Sequence, residues 1–221
     1  VVRRTIQRQD LEMKSRYKFT MKDINGMQYF IYIYSHDEIR VTPGTVWSGA
    51  NDVVFSGNYH MAIAKANSTD AIGQEVVLFE SIAGPQTKGV FNVSETGFHN
   101  RAAVLRAEFQ GQPDILFTAQ QKTGSGDSGL RAFYIKNGEM QLIKWQSAYD
   151  GKIHNGVGSS GARIPSNIGK MRFRVNDWTR GGEYSGGIDY IYILNSSDNT
   201  MMLEEKILLN LTVEQRKKQV N

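Results

Sequence analysis

Leu11, Met13, Ser15, Tyr17, Phe19 and Met21 alternate strictly with Glu12, Lys14, Arg16, Lys18, Thr20 and Lys22. A period of two held this long places one set of side chains on a buried face and the other in water, which is the pattern of a half-buried strand. The run ends in Asp23-Ile24-Asn25-Gly26, and Asn-Gly readily takes the positive φ that tight hairpin turns require. A return strand follows from Met27 to Ser35, carrying Tyr29, Phe30, Ile31, Tyr32, Ile33 and Tyr34. The chain is therefore committed to antiparallel pairing from its start, with the early basic residues on the wet face.

Three later stretches share a plan: a short strand after a polar turn, an irregular stretch, then a hairpin. They open at Asn51–Phe55, Pro113–Phe117 and Lys170–Arg174, a spacing of about sixty residues. The second turns at Asn137-Gly138 and the third at Asn195–Asn199. Short antiparallel strands repeating at a period near fifty mark propeller blades. The expected fold is all-β, a propeller-like array of antiparallel hairpins, with a β-sandwich as the alternative. At 221 residues this is one β domain spanning 1–221, with a basic arm over 1–10 and a short helix over 212–221. Thr212 would cap that helix, with Gln215 in the reciprocal position.

The segment Ala107-Glu108-Phe109-Gln110-Gly111-Gln112-Pro113-Asp114-Ile115-Leu116-Phe117, followed by Phe133-Tyr134-Ile135-Lys136-Asn137-Gly138, resembles one blade of the FG-GAP/VCBS type of propeller repeat. The resemblance implies a blade over residues 107–138. It departs at the calcium ligands, which fall on Glu108, Gln110 and Gln112. A hard cation needs several oxygen ligands with carboxylates among them, so no metal and no cofactor is expected.

The chain has no cysteine, which removes disulfides, thiolate metal sites and cysteine nucleophiles together. It begins at Val1, which carries the expectation of a removed signal peptide and an extracellular or cell-surface location. No apolar run approaches the roughly 20 residues of a membrane-spanning helix. The net charge of +4 gathers at the ends, in Arg3, Arg4, Arg8, Lys14, Arg16, Lys18 and Lys22 and in Arg216, Lys217 and Lys218. Without a basic stripe or interleaved aromatics in the body, nucleic acid is not expected as a partner. The basic start reads as a solvated arm.

Gly126-Asp127-Ser128-Gly129 carries the letters that surround the nucleophile of chymotrypsin-like proteases. A serine there needs a histidine and an orienting carboxylate. The setting of His60, Asn58-Tyr59-His60-Met61-Ala62, does not match that family's histidine motif, and the stretch reads as a loop. His36, His60, His99 and His154 are scattered, without metal-ligand spacing. Asp114, Asp177, Glu183 and Asp189 are carboxylates without a common site, so no catalytic residue is assigned.

Two loops hold the candidate site. Gln146–Gly169 reads as one long irregular segment containing Tyr149, Asp150, His154 and Arg163 among glycines. Asn176–Tyr184 sets Asp177, Trp178, Arg180 and Tyr184 among glycines. A ring face packs on sugar C–H groups while polar and charged neighbours take hydroxyls. Tyr149, His154, Asp177, Trp178, Arg180 and Tyr184 are therefore the candidate ligand-binding residues, with Trp178 as a strand-end core residue in the alternative reading. The expected function is a non-enzymatic exported binding module for a carbohydrate, a cell-wall component or a protein. The alternatives are a polysaccharide hydrolase using Asp177 or Glu183, and a structural piece of a larger exported protein.

Overall fold

The computed structural model describes residues 4–42, 51–74, 76, 78–81, 84–86, 88–93, 101–121, 127–160, 164–179 and 186–209. The chain opens with Arg4–Gln7 (β1) and the helix Arg8–Lys14 (α1), then Ser15–Lys22 (β2), Gln28–Ser35 (β3) and Ile39–Val41 (β4). There follow Val54–Lys65 (β5), Asp70–Gln74 (β6), Phe79–Ser81 (β7), Gly84–Gln86 (β8), Lys88–Asn92 (β9) and Arg101–Leu105 (β10). The second half contains Ile115–Gln121 (β11), Asp127–Lys136 (β12), Glu139–Gln146 (β13), Ile153–His154 (β14) and Val157–Ser160 (β15). It ends with Ser166–Gly169 (β16), Arg172–Thr179 (β17), Gly186–Asn195 (β18) and Thr200–Leu208 (β19). The described residues are mostly strand, with one short helix among them. No described helix is long and apolar enough to cross a membrane.

Among the described residues the strands are gathered into sheets of seven, ten and two strands, and a propeller is not confirmed. The first sheet runs β1-β6-β5-β3-β2, with β4 and β9 also on β5. The second runs β10-β11-β12-β13-β19-β18-β17-β16, with β14 on β13 and β15 on β12. The repeat openings expected to be equivalent lie in different settings: β5 centres the first sheet, while β11 and β17 belong to the second.

The second sheet is nearly closed and barrel-like. The first half of β12 pairs with β15 and its second half with β13. β13 then joins β19 in parallel through Lys144↔Thr200 and Trp145↔Met201, and β15 packs beside β17. Alternation divides the side chains of this sheet between two cores. Leu116, Phe133 and Ile135 meet Met21, Ile31, Ile33, Met61 and Phe91 of the first sheet, so the two sheets pack face to face. Ile115, Phe117, Ala132, Tyr134, Ile143, Trp145, Phe173, Val175, Tyr190 and Tyr192 fill the barrel.

The opening hairpin forms as β2 and β3, with Tyr17, Phe19 and Met21 on the core side. Its N-terminal third differs from the sequence reading, because Leu11 to Lys14 belong to α1. Leu11 is buried against Tyr32, Tyr34 and Ala62 on the other face of β3. A helix turns about 200° over two residues, so Met13 leaves that face and is 72% exposed. Polar–apolar alternation over four residues fits either element, and burial of Leu11 beneath the sheet decides between them.

The residues read as a solvated basic arm are also tied into the fold from Arg4 onward. β1 pairs with β6. The Arg8 guanidinium lies 3.9 Å over the Phe30 ring and donates to Tyr32 Oη (2.7 Å) and to the Ala66 carbonyl (3.1 Å). Arg16, on the expected wet face of β2, lies 3.5 Å over Phe55 and pairs with Glu38. The helix expected over 212–221 lies outside the described residues.

Candidate binding pocket

Two tight turns set the barrel's geometry. Asn137 and Gly138 both take positive φ (55° and 76°) between the paired Lys136 and Glu139, the two-residue hairpin that Asn-Gly favours. The β18–β19 turn ends on Asn199, also at positive φ, whose side-chain oxygen accepts from Tyr134 Oη (2.5 Å) and Lys136 Nζ (3.2 Å).

At the other end of β13 the chain reverses through a compact turn. Ser147 N donates to the Lys152 carbonyl (2.8 Å) and Gly151 N to the Ser147 carbonyl (3.0 Å). Ser147 Oγ accepts from the Tyr149 and Asp150 amides (3.2 and 3.3 Å). The chain returns as β14, which places His154 opposite Trp145. Ser147, the Lys152 amide and His154 hold the Asp150 carboxyl down at about 2. His154 Nε2 stands 3.3 Å from both Asp150 oxygens. The segment 146–169, read from sequence as one irregular loop, thus contains β14, β15 and β16. These strands are two to four residues long, too short to show a period, and their glycines suggest loop.

Between this turn and the far wall of the barrel lies a cavity of about 210 Å³. Trp145, Ser147, Ala148, Tyr149 and His154 line one side; Gly156, Val157 and Gly158 come from β15 and the residues before it; Asp177, Tyr190 and Tyr192 come from β17 and β18. Asp177 follows Phe173 and Val175 at alternate positions on β17, so it continues their inward-facing register past the apolar fill. Tyr149 is 81% exposed at the rim. Trp145 and Tyr192 meet edge to face, with centroids 5.0 Å apart and planes at 87°.

Trp145, Tyr190 and Tyr192 are buried, yet Trp145 Nε1, Tyr190 Oη and Tyr192 Oη have no hydrogen-bond partner among the described residues. Buried polar groups are nearly always paired, and each exception calls for an explanation. All three line the same cavity. Burial pushes the Tyr190 phenol above its ordinary pKa, and Tyr149 and the Asp177 carboxylate add to this. Tyr149 sits beside Tyr190 without completing a hydrogen bond of proper geometry. Tyr192 is raised by burial and then by Asp177 and Tyr149. Both phenols therefore stay protonated at neutral pH, each able to donate or accept a hydrogen bond.

Of the residues singled out in the sequence, Tyr149, His154 and Asp177 come together at this cavity. Trp178 continues β17 and pairs in register with Gly187. Arg180 and Tyr184 lie outside the described residues, as do Arg163 and Glu183. Trp145, Tyr190 and Tyr192 were missed. The available signal was Tyr190 and Tyr192 at alternate positions on the inward face of an otherwise apolar strand, where phenols demand partners.

The other carboxylates have structural duties. Asp114 is buried and accepts from the Lys22 and Ala107 amides (2.9 and 2.8 Å) and from Arg106 (2.9 Å), joining the loop before β11 to the first sheet. Asp189 is buried, accepts from Asn176, and lies 3.4 Å from Arg174. Ser128, expected in a loop, belongs to β12 and pairs in register with Gln121 and Ser159. Among the described residues no three His, Asp or Glu side chains cluster as a metal site. No family model matches the sequence, no curated protein matches it, and no solved structure matches the fold.

Proposed function

We propose that this chain is a non-enzymatic binding module of the cell exterior, and that a small hydroxyl-bearing ligand, glycan or cell-wall component, enters the cavity at the end of the barrel. The observation that carries this reading is one cavity lined by Trp145, Tyr190 and Tyr192, whose buried polar atoms have no hydrogen-bond partner among the described residues. An unpaired buried polar group costs about 1–3 kcal/mol, and a ligand that completes those hydrogen bonds recovers part of that cost on binding. The exposed Tyr149 at the rim adds aromatic surface where a ligand would enter.

Calorimetric titration against a panel of oligosaccharides and cell-wall fragments tests the proposal, with Tyr149→Ala as the paired variant. One ligand class should bind, and the variant should weaken it without lowering the melting temperature, because exposed positions contribute little to stability. Hydrolysis of a panel member that vanishes with Asp177→Ala would replace the proposal with the polysaccharide-hydrolase alternative.

A further inference from the structure

The histidines are scattered along the sequence, but the fold brings two of them together far from the barrel cavity. β3 and β5 pair antiparallel with Tyr34 opposite His60, and His36 follows Tyr34 just past the end of β3. Alternation sets His60 on the same face as Ala62, beside Tyr34. The three rings meet there. Tyr34 lies 5.4 Å from His36, nearly perpendicular at 82°, and 5.7 Å from His60, and the two imidazole centres are 6.4 Å apart. We infer that His36 and His60 form a two-histidine site for one divalent late transition-metal ion, of the imidazole-seeking class of Cu²⁺, Ni²⁺ and Zn²⁺.

Distance is the first argument. A metal–imidazole bond is about 2.0–2.1 Å and the nitrogen lies about 1.2 Å from its ring centre, so two imidazoles on one ion have centres at most about 6.5 Å apart. The observed separation falls inside that limit. A tetrahedral angle at the ion needs about 5.3 Å, and His36, exposed beyond the end of its strand, has the freedom to turn through the difference.

Availability is the second. A metal takes the lone pair of a neutral imidazole nitrogen, so a ring already committed elsewhere is a poorer ligand. His154 is engaged with Asp150. His36 and His60 touch Tyr34 and each other through their rings, and neither has a hydrogen bond or ion pair among the described residues.

The third argument is the donor set, which selects the ion. The adjacent Asp37 carboxylate is occupied, accepting from Ser35 Oγ (2.6 Å), Asn58 N (2.7 Å) and Asn58 Nδ2 (2.5 Å). With no third His, Asp or Glu gathered there among the described residues, the ion has two nitrogen ligands and completes its shell with water. Mg²⁺ and Ca²⁺ require oxygen ligands, whereas imidazole suits Zn²⁺, Ni²⁺ and, most strongly, Cu²⁺. Once bound, the ion ties the end of β3 to the middle of β5.

The test is calorimetric titration of the full chain, free of any affinity tag, at pH 7 with CuCl₂, NiCl₂ and ZnCl₂, and with MgCl₂ and CaCl₂ for comparison. Cu²⁺ should bind, Mg²⁺ and Ca²⁺ should not, and His36→Ala and His60→Asn should each weaken the tightest Cu²⁺ equivalent tenfold or more. Electron paramagnetic resonance of the Cu²⁺ complex should show coupling to two imidazole nitrogens, reduced to one in either variant. His36 is exposed, so His36→Ala decides the matter even if His60→Asn fails to fold. No binding of the three late metals, a tightest equivalent unmoved by His36→Ala, or equal binding of Mg²⁺ overturns the inference.

Discussion

Tyr59 and Tyr192 are equally buried, one in the core between the sheets and the other inside the barrel. Tyr59 Oη donates to Glu38 (2.7 Å), which also pairs with Arg16, and Tyr32 Oη donates to Glu12 (2.5 Å) while accepting from Arg8. Tyr192 and its neighbour Tyr190 line the cavity, and their hydroxyls have no hydrogen-bond partner among the described residues. The first sheet thus spends its tyrosines on cross-links between elements that it also uses to anchor arginines. In the barrel Tyr134 is likewise paired, with Asn199, whereas the Tyr190 and Tyr192 hydroxyls have no partner among the described residues. The difference separates phenols that tie elements together from two buried phenols whose unpaired hydroxyls carry a cost in stability.

The comparison can be broken most directly at Glu38. Burial would raise its pKa, but hydrogen bonds from Arg16 and Tyr59 outweigh this and hold it down. Glu38→Ala leaves the Arg16 guanidinium and the Tyr59 phenol without their acceptor, and should cost about 3 kcal/mol in urea denaturation. Tyr59→Phe removes one hydrogen bond and should cost about 1–2 kcal/mol in the same measurement. Tyr190→Phe and Tyr192→Phe should go the other way, leaving stability unchanged or raising it by up to about 1 kcal/mol, because an unpaired buried hydroxyl is removed. Losses in the barrel variants equal to that of Tyr59→Phe would erase the distinction.

The smallest effect is one that the two regions should share. Tyr59, Tyr190 and Tyr192 all have phenols raised above the ordinary value of 10. A raised phenol leaves stability untouched below pH 10. As pH climbs past 10 the unfolded chain ionises first, and the folded state loses ground. Each such tyrosine should account for about 0.4 kcal/mol of lost stability at pH 10 relative to pH 8. Denaturation at the two pH values should show each Tyr→Phe variant recovering one such share, wherever the tyrosine lies.

The legible parts of the fold were the local ones. The β2–β3 hairpin, the Asn137-Gly138 turn and the Asn195–Asn199 turn are written in neighbouring residues, where alternation and positive-φ preferences act directly. The α1 boundary was not legible, because four residues cannot distinguish a period of two from a single helical turn. The barrel was not legible either, since it depends on β13 meeting β19 in parallel and on β15 meeting β12, contacts that no local pattern announces. Half of the candidate site was readable for the same reason. Tyr149, His154 and Asp177 stand out as polar residues near glycines, whereas Trp145, Tyr190 and Tyr192 look like core until the cavity beside them is seen.

The parallel junction of β13 and β19 has a kinetic consequence. It rests on two residue pairs, supported by Lys144 N donating to the Asn199 carbonyl (2.8 Å) and Leu203 N to Gln146 Oε1 (3.1 Å). Short parallel pairings are weaker per residue than antiparallel ones, and amide protons exchange soonest where a structure opens most cheaply. Trp145 and His154 stand on one side of this seam, and Tyr190 and Tyr192 on the other. If the cavity takes a ligand as proposed, the bound molecule would bridge this seam and should slow deuterium uptake at Lys144 and Leu203.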